Sequence, residues 1–282
     1  MFAPYVDFTA WPPYDLLAAV TNTGLRHGTL AFVVADPALN PATAPATNFP
    51  AWGGYSAYSV ASGHRLGDIA TFRTAGGDVI VSFGGAASTE LAVAITNSLR
   101  LKTAYQFVIT TYNATWLDFD IEGAWAADHA SVNRRWGVLA ALQSDAAVAG
   151  RMLRVSLTLP VLPSGLTWDG RHVVQSAISS NVDHTGVNIM AMDYGDNAAP
   201  HPAGQMGDHA VIAATSLFHQ LKAAYQAAGQ TKADAALWKM IGVTPDAGRK
   251  RCPKRSLHAG RRHRAAGLCT KPGLRFAGIL VA

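Results

Sequence analysis

Seven short apolar runs rich in β-forming residues recur along the chain, and segments long enough to form helices separate them. Such alternation is typical of strands and helices that wind around a parallel sheet. Several runs are almost continuously apolar, as expected of strands that are buried on both faces. The predicted strands are residues 4–8, 28–35, 78–84, 115–121, 153–159, 186–193 and 239–244.

The number of these repeats per length of chain favours a barrel. Seven repeats in about 245 residues match a (β/α)8 TIM-type barrel, whose usual length is about 250 residues. A doubly wound open α/β sheet is the alternative. Asp208 is expected to cap one connecting helix, which Gly229 would end. The apolar stripe of that helix is Val211, Ala214, Phe218, Leu221 and Tyr225.

The composition of the 282 residues, 49% hydrophobic and 15% charged, predicts one large globular domain or at most two smaller ones. Its apolar runs are shorter than the ~18–20 residues that cross a bilayer. Neither a basic segment nor an apolar signal core follows Met1. We therefore expect no membrane partner, and a secretion signal that is absent or already removed.

The net charge of +5 arises from one end of the chain. Ten of the 23 Lys and Arg residues lie within 247–282, which holds no acid, so residues 1–246 carry 13 bases against 18 acids. This mildly acidic body argues against a nucleic-acid partner. Cys252 and Cys269 also lie in the basic segment, so the redox compartment stays open.

Residues 117–123 read Leu-Asp-Phe-Asp-Ile-Glu-Gly and place three carboxylates at two-residue spacing. On a strand, Asp118, Asp120 and Glu122 would share one face, with neighbours about 6–7 Å apart. Crowding of like charge raises the pKa of at least one carboxyl, which is typical of a general acid. The alternative is the solvated face of an edge strand, but the apolar flanks and the following glycine favour a buried strand that ends in a site.

Polar and glycine residues follow other predicted strands, at Ser82, Gly84 and Gly85 and again at Asp193 and Tyr194. In a barrel these strand ends meet at one rim, where catalytic groups gather. A tight turn and an ordinary strand end are the alternatives. The long connection at 36–59 is predicted to be a rim loop.

Taken together, the segments 82–85, 118–122 and 190–194 resemble the signature stretches of glycoside hydrolase family 18, the chitinases and their relatives. The resemblance covers residues 3–245 and is greatest to bacterial chitinases with a compact barrel, because there is no room for an inserted α+β domain before the last strand.

The resemblance implies a substrate-assisted, retaining hydrolysis of β-1,4-linked N-acetylglucosamine, without a metal or cofactor. Glu122 would protonate the glycosidic oxygen. Asp120 would orient the acetamido group that acts as nucleophile, and Asp118 would share a proton with Asp120. Either Tyr194 or Asp193 would hold the acetamido group from the opposite wall.

Sugar-binding sites use aromatic faces, and four tryptophans are predicted on the rim, although each of them could instead lie in the core. They are Trp11, Trp52, Trp125 and Trp168. The other substrate-binding candidates are Ser82, Gly84, Gly85, Met190 and Met192.

The chain departs from the family pattern in two places. Thr115 and Trp116 stand where an Asp and a Gly are usual, which removes a supporting carboxylate. From residue 246 onwards the composition changes abruptly, and a shifted reading frame is the simplest explanation. The apolar run 274–281 is a candidate eighth strand by its β-propensity.

Other interpretations of the segment 246–282 are a disordered tail, a basic arm for acidic partners, or a zinc site. The zinc ligands would be Cys252, His258, His263 and Cys269.

The sequence thus predicts a monomeric, extracellular endo-chitinase that acts on chitin or N-acetylglucosamine oligosaccharides. The alternatives are an endo-β-N-acetylglucosaminidase that acts on glycan cores, and a catalytically impaired chitin-binding relative.

Overall fold

A computed structural model describes residues 1–200, 204–245 and 275–276 of the protein. Within these residues nine strands form one sheet. The strands are β1 (Tyr5–Asp7), β2 (His27–Ala35), β3 (Pro50–Trp52), β4 (Asp78–Gly84), β5 (Trp116–Asp120), β6 (Arg154–Pro160), β7 (His184–Ala191), β8 (Ile241–Pro245) and β9 (Arg275–Phe276).

Apart from β3, which pairs antiparallel with β2, the strands are parallel and follow one another in sequence order. A doubly wound sheet reverses its strand order at a switch point, so this order excludes that alternative. The sheet is also curled. The hydroxyl of Tyr5 on β1 donates to Asp118 on β5 across the interior at 2.9 Å, which a flat sheet would not allow. The predicted TIM-type architecture is confirmed.

Helices connect the parallel strands and pack against the sheet. They are α1 (Leu16–Thr23), α2 (Leu66–Thr74), α3 (Leu91–Ala94), α4 (Ser98–Tyr112), α5 (Ala124–Ala127), α6 (His129–Val148), α7 (Trp168–Ser179), α8 (Met206–Ala227) and α9 (Asp234–Lys239). In the part of the chain that the structure describes, none of them has both the length and the apolar character of a membrane span.

The outward face of β4 and β5 is aromatic. Phe83 and Phe119 stack with ring centroids 5.1 Å apart, and the rings of Tyr105 on α4 and Trp136 on α6 pack edge-on against this pair. Burial of each such side chain stabilises the fold by about 2–3 kcal/mol. Since successive strand residues point to opposite faces, this packing directs Asp118 and Asp120 towards the barrel interior.

All seven predicted strands are present to within a few residues, but two local predictions are wrong. The segment 36–59 is not only a rim loop, because β3 pairs with β2 inside it. Asp208 does not cap α8, which starts at Met206, so Asp208 lies in the first turn. There its negative charge still interacts favourably with the positive end of the helix dipole. Gly229 follows the helix with φ +71°, as expected of a helix stop.

The strand β9 lies within the run 274–281 and pairs parallel with β8 through Gly242 and Val243. The expectations for Cys252, Cys269 and the rest of 246–274 fall outside the described residues.

Candidate active site

The inward carboxylates of β5 lie at the base of a cleft. Asp118 and Asp120 are buried, while β5 ends at Asp120 and Glu122 lies half-buried two residues beyond it. The predicted row is therefore on the strand for only two of its three acids. Asp120 and Glu122 line a cleft of about 510 Å³ at the carboxyl ends of the strands, where barrels of this type place their sites.

Four hydroxyl groups surround the carboxyl group of Asp118. Its Oδ2 accepts from Tyr5 at 2.9 Å and Ser82 at 2.7 Å, and its Oδ1 accepts from Ser156 at 2.7 Å and Thr158 at 3.0 Å. Burial raises the pKa of Asp118, and these hydrogen bonds oppose that shift because they stabilise the ionised form.

Asp120 has a different environment. Its Oδ1 is shielded from solvent and makes no hydrogen bond to a described residue. Burial, and then the charges of Glu122 and Asp118, hold its pKa well above the usual value. The crowding expected from the spacing of the acids thus acts most strongly on Asp120, which holds a proton more tightly than Asp118, whose ionised form the hydroxyl groups stabilise.

The hydroxyls around Asp118 belong to a longer hydrogen-bonded chain. Asn188 on β7 donates to Thr158 at 3.1 Å and to Thr244 on β8 at 2.7 Å, which links three strands beneath the cleft. The indole of Trp116 donates to Ser156 at 3.1 Å. The polar members of this hydrogen-bonded chain were not predicted from the sequence, where their only signal is a polar residue at an inward position of an otherwise apolar strand; they are Ser156, Thr158, Asn188 and Thr244.

The segment 82–85 shapes the site rather than binding substrate through Ser82. Ser82 is completely buried and donates to Asp118, so its predicted substrate contact is wrong. At Gly84, φ +94°, a Cβ atom would clash with the carbonyl oxygen of Asp120, and at Gly85, φ +83°, it would come within 2.7 Å of the Phe32 ring. These two glycines allow β4, β5 and Phe32 to approach closely.

Phe32 is a cleft residue that was not predicted from the sequence. The pairing of β2 with β4 shifts register between Leu30 and Val33. Irregularities of this kind re-aim side chains near active sites, and Phe32 lines the cleft beside Tyr5, with ring centroids 5.8 Å apart.

The opposite wall of the cleft comes from the end of β7. Met190, Met192 and Asp193 line it. Tyr194 does not, because its ring is buried and packs 6.1 Å from that of His209. Of the two candidates for holding an acetamido group, the structure places only Asp193 in the cleft.

The four tryptophans have different positions. Trp52 is completely buried and donates its indole N–H to Tyr112 at 2.7 Å, so its predicted sugar contact is wrong. Trp11 is 91% exposed beyond β1, and Trp125 is half-buried against the core on α5. Neither lines the cleft, and their contact with sugar stays a prediction. Trp168 is 64% exposed at the start of α7.

The chain is similar to proteins that are named as chitinases, although no family model matches it. The chain is 38% identical over 253 residues to the probable bifunctional chitinase/lysozyme of Escherichia coli (strain K12), a match that covers 88% of this chain and 27% of the relative. It is 37% identical over 253 residues to endochitinase 11 of Metarhizium anisopliae, covering 88% and 45%. The chain therefore spans less than half the length of either relative.

Solved structures match over a larger share of the chain, at 99%. The catalytic domain of a hyperthermophilic chitinase from Pyrococcus furiosus matches with a TM-score of 0.82 and 28% identity, covering 99% of this chain and 82% of that one. Catalytic-site mutants of active domain 2 of the thermostable chitinase from Pyrococcus furiosus, complexed with chito-oligosaccharides, match with a TM-score of 0.82 and 27% identity, with the same coverage. With its acid row in a barrel cleft, the chain belongs to the chitinase-like members of glycoside hydrolase family 18.

Proposed function

We propose that this chain is a chitinase domain that cleaves β-1,4-linked N-acetylglucosamine internally, with retention and with Glu122 as the general acid. The observation that carries the proposal is the contrast between Asp118 and Asp120, two neighbouring acids with opposite surroundings. Glu122 and Asp120 line the open cleft, and Asp118 lies beneath them. We call the four hydroxyl groups that donate to Asp118 the hydroxyl cage; they belong to Tyr5, Ser82, Ser156 and Thr158.

In the first half-reaction, Glu122 gives its proton to the glycosidic oxygen as the bond to the anomeric carbon breaks. The acetamido carbonyl oxygen of the same sugar attacks that carbon and forms a cyclic oxazolinium ion. Asp120 accepts a hydrogen bond from the acetamido N–H while its own proton shifts towards Asp118. The hydroxyl cage holds Asp118 in place for this exchange.

In the second half-reaction, the Glu122 carboxylate takes a proton from water, and the water oxygen attacks the anomeric carbon from the side that the leaving group vacated. The oxazolinium ring opens, the acetamido group is restored, Glu122 is protonated again, and the proton on Asp118 returns to Asp120. Two displacements at one carbon retain its configuration.

The extent of the cleft supports a polymeric substrate over a glycan core. A neighbouring cavity of about 340 Å³ shares Phe32 and Ala86 with the cleft and is lined by Tyr55, Gly84 and Ser88. A groove that runs past the acids on this side suits a chain that continues beyond the cleaved bond, as endo-cleavage requires.

The proposal is tested by the hydrolysis of chitohexaose by the wild type and by Glu122→Gln. The amide keeps the size of the side chain but cannot donate a catalytic proton, so we expect kcat to fall by at least about 10²-fold. Asp68→Asn removes an exposed carboxylate on α2 and should leave kcat unchanged.

A Glu122→Gln variant that retains wild-type activity would overturn the role of Glu122. A wild type that binds chitohexaose without cleaving it would favour the impaired-relative alternative. Because the Escherichia coli relative is named for chitinase and lysozyme, bacterial peptidoglycan belongs in the same assay as a competing substrate. The wider proposal, a monomer that acts outside the cell, is checked by light scattering and by fractionation of the source culture.

A further inference from the structure

Three aromatic rings form a cluster on the outer rim, at the starts of α6 and α7. Trp168 and His172 lie one turn apart on the same face of α7, with their rings nearly parallel and the centroids 6.2 Å apart. His129, the first residue of α6, packs against both, at 5.0 Å from the Trp168 ring and 3.8 Å from the His172 ring. We call Trp168, His129 and His172 the rim platform.

The rim platform is ordered but open to solvent. His129 Nε2 lies within hydrogen-bond distance of Asp169 Oδ1, at 3.3 Å, which fixes its ring beside the indole. Burial, followed by the charge of His129, lowers the pKa of His172, so that ring is neutral at pH 7. Yet Trp168 is 64% exposed. A large indole that neighbouring rings hold in place while it faces water is poorly explained by core packing.

A metal site does not explain the cluster. Among the described residues, no group of three or more His, Cys, Asp or Glu side chains is arranged to hold a metal ion. The two imidazoles stack face to face at an interplanar angle of 24°, instead of converging on a common point.

The platform adjoins the cleft. Thr167 lines the cleft together with Glu122, and Trp168 is the next residue along the chain. The Thr167 side chain accepts from the backbone N–H of Gly170 at 3.2 Å, which caps α7 and fixes the direction of its first turn. The short helix α5, which follows Glu122, packs against α7. A ligand that leaves the cleft past Thr167 therefore meets the platform.

We propose that the rim platform is a sugar-binding subsite that takes one N-acetylglucosamine unit of a β-1,4-linked chain extending out of the cleft. The apolar C–H face of the pyranose ring stacks on the exposed indole, and Asp169 and His129 supply hydrogen-bonding groups at its edge. This inference rests on the proposed function, because it takes the occupant of the cleft to be such a chain.

A length-dependent assay tests the subsite. Trp168→Ala should lower kcat/KM for chitohexaose about five- to tenfold, the usual value of one aromatic contact. A chitobiose aryl glycoside is too short to fill both the cleft and the platform, so its kcat/KM should stay within about twofold. Trp168→Tyr keeps a flat ring and should restore most of the activity on chitohexaose.

Leu99→Ala removes another exposed apolar side chain, on α4, and serves as the matched control. Equal losses on both substrates, or no loss on chitohexaose, would overturn the subsite while leaving the proposed function intact.

If the wild type cleaves neither substrate, the proposed catalysis has failed, and calorimetric titration of chitohexaose decides the subsite alone. Weaker binding by Trp168→Ala than by the wild type supports the platform. Equal affinity, or no binding by the wild type, overturns it.

Discussion

Asp118 and Asp120 are two residues apart on one strand and face the same interior, yet their surroundings are opposite. Asp118 accepts hydrogen bonds from four hydroxyl groups, whereas Asp120 has two acidic neighbours and a buried oxygen with no hydrogen bond from the described residues. Such a contrast separates the pKa values of paired carboxyls, which is how acid and base roles are assigned in active sites.

The hydroxyl cage leads to a pH-dependent prediction. Ser156→Ala removes one donor to Asp118, so its ionised form loses stabilisation and its pKa rises. If catalysis needs Asp118 ionised, the acidic limb of the kcat/KM profile should move upward by about one pH unit. Ser144→Ala, at an exposed position of α6, is the control. An unshifted acidic limb in Ser156→Ala would show that the cage does not tune the site.

At this scale the sequence predicted the acids and not their partners. The three acids are adjacent in sequence, and their alternation is visible by inspection. Tyr5 lies 113 residues from Asp118 and Thr158 lies 40 residues away, so only the curl of the sheet brings them together. The same limit applies to Trp52, because an indole on a loop and one in the core look alike in sequence until the partner, here Tyr112, is known.

Among the elements, α3, α4 and α6 meet behind the catalytic strand at one buried ion pair. Glu90, which caps α3, lies 2.8 Å from Arg135 on α6 and also accepts from Tyr105 on α4. Both charged side chains are almost fully buried, at 2% and 0% exposure. Glu90 also lies close to Gly84, so this pair supports the end of β4 from the side opposite the cleft.

Breaking this pair should be costly. Glu90→Gln leaves the Arg135 charge buried without a counter-charge, and we expect it to lower the free energy of unfolding by about 3–5 kcal/mol. Asp145→Asn breaks the exposed pair with Lys102 on α4 and should change it by no more than about 1 kcal/mol. Urea unfolding monitored by tryptophan fluorescence measures both variants, and equal effects would contradict the distinction between them.

Element prediction succeeded where an apolar run marks a buried strand and failed where local signals disfavour the element, as at Pro50 of β3, or where its boundary is set by tertiary contacts. The seven buried strands are runs of three to nine residues with clear boundaries. The strand β3 has only three residues and begins at a proline, so its pairing with β2 could not be read from a local pattern. Helix α8 starts three residues earlier than the Asp208 cap would place it, because Met206 is drawn into the core.

At the scale of the whole molecule, the order of the strands was predictable and their closure around the site was not. Alternation of strand and helix with short connections predicts sequential parallel pairing, and the eight parallel strands follow it. Contacts such as that of Asn188 with Thr244 hold the interior together across strands. They depend on register, which composition and periodicity do not supply.

The central claim joins the carboxylates to a nucleophile that the substrate itself provides, and the stereochemistry of the product tests it most directly. Proton NMR during hydrolysis of chitohexaose by the wild-type chain resolves the two anomers of the new reducing end before they equilibrate. We predict that the β-anomer accumulates first, because two displacements at the anomeric carbon retain its configuration. Initial accumulation of the α-anomer would mean direct attack by water from the opposite face, and it would contradict the account.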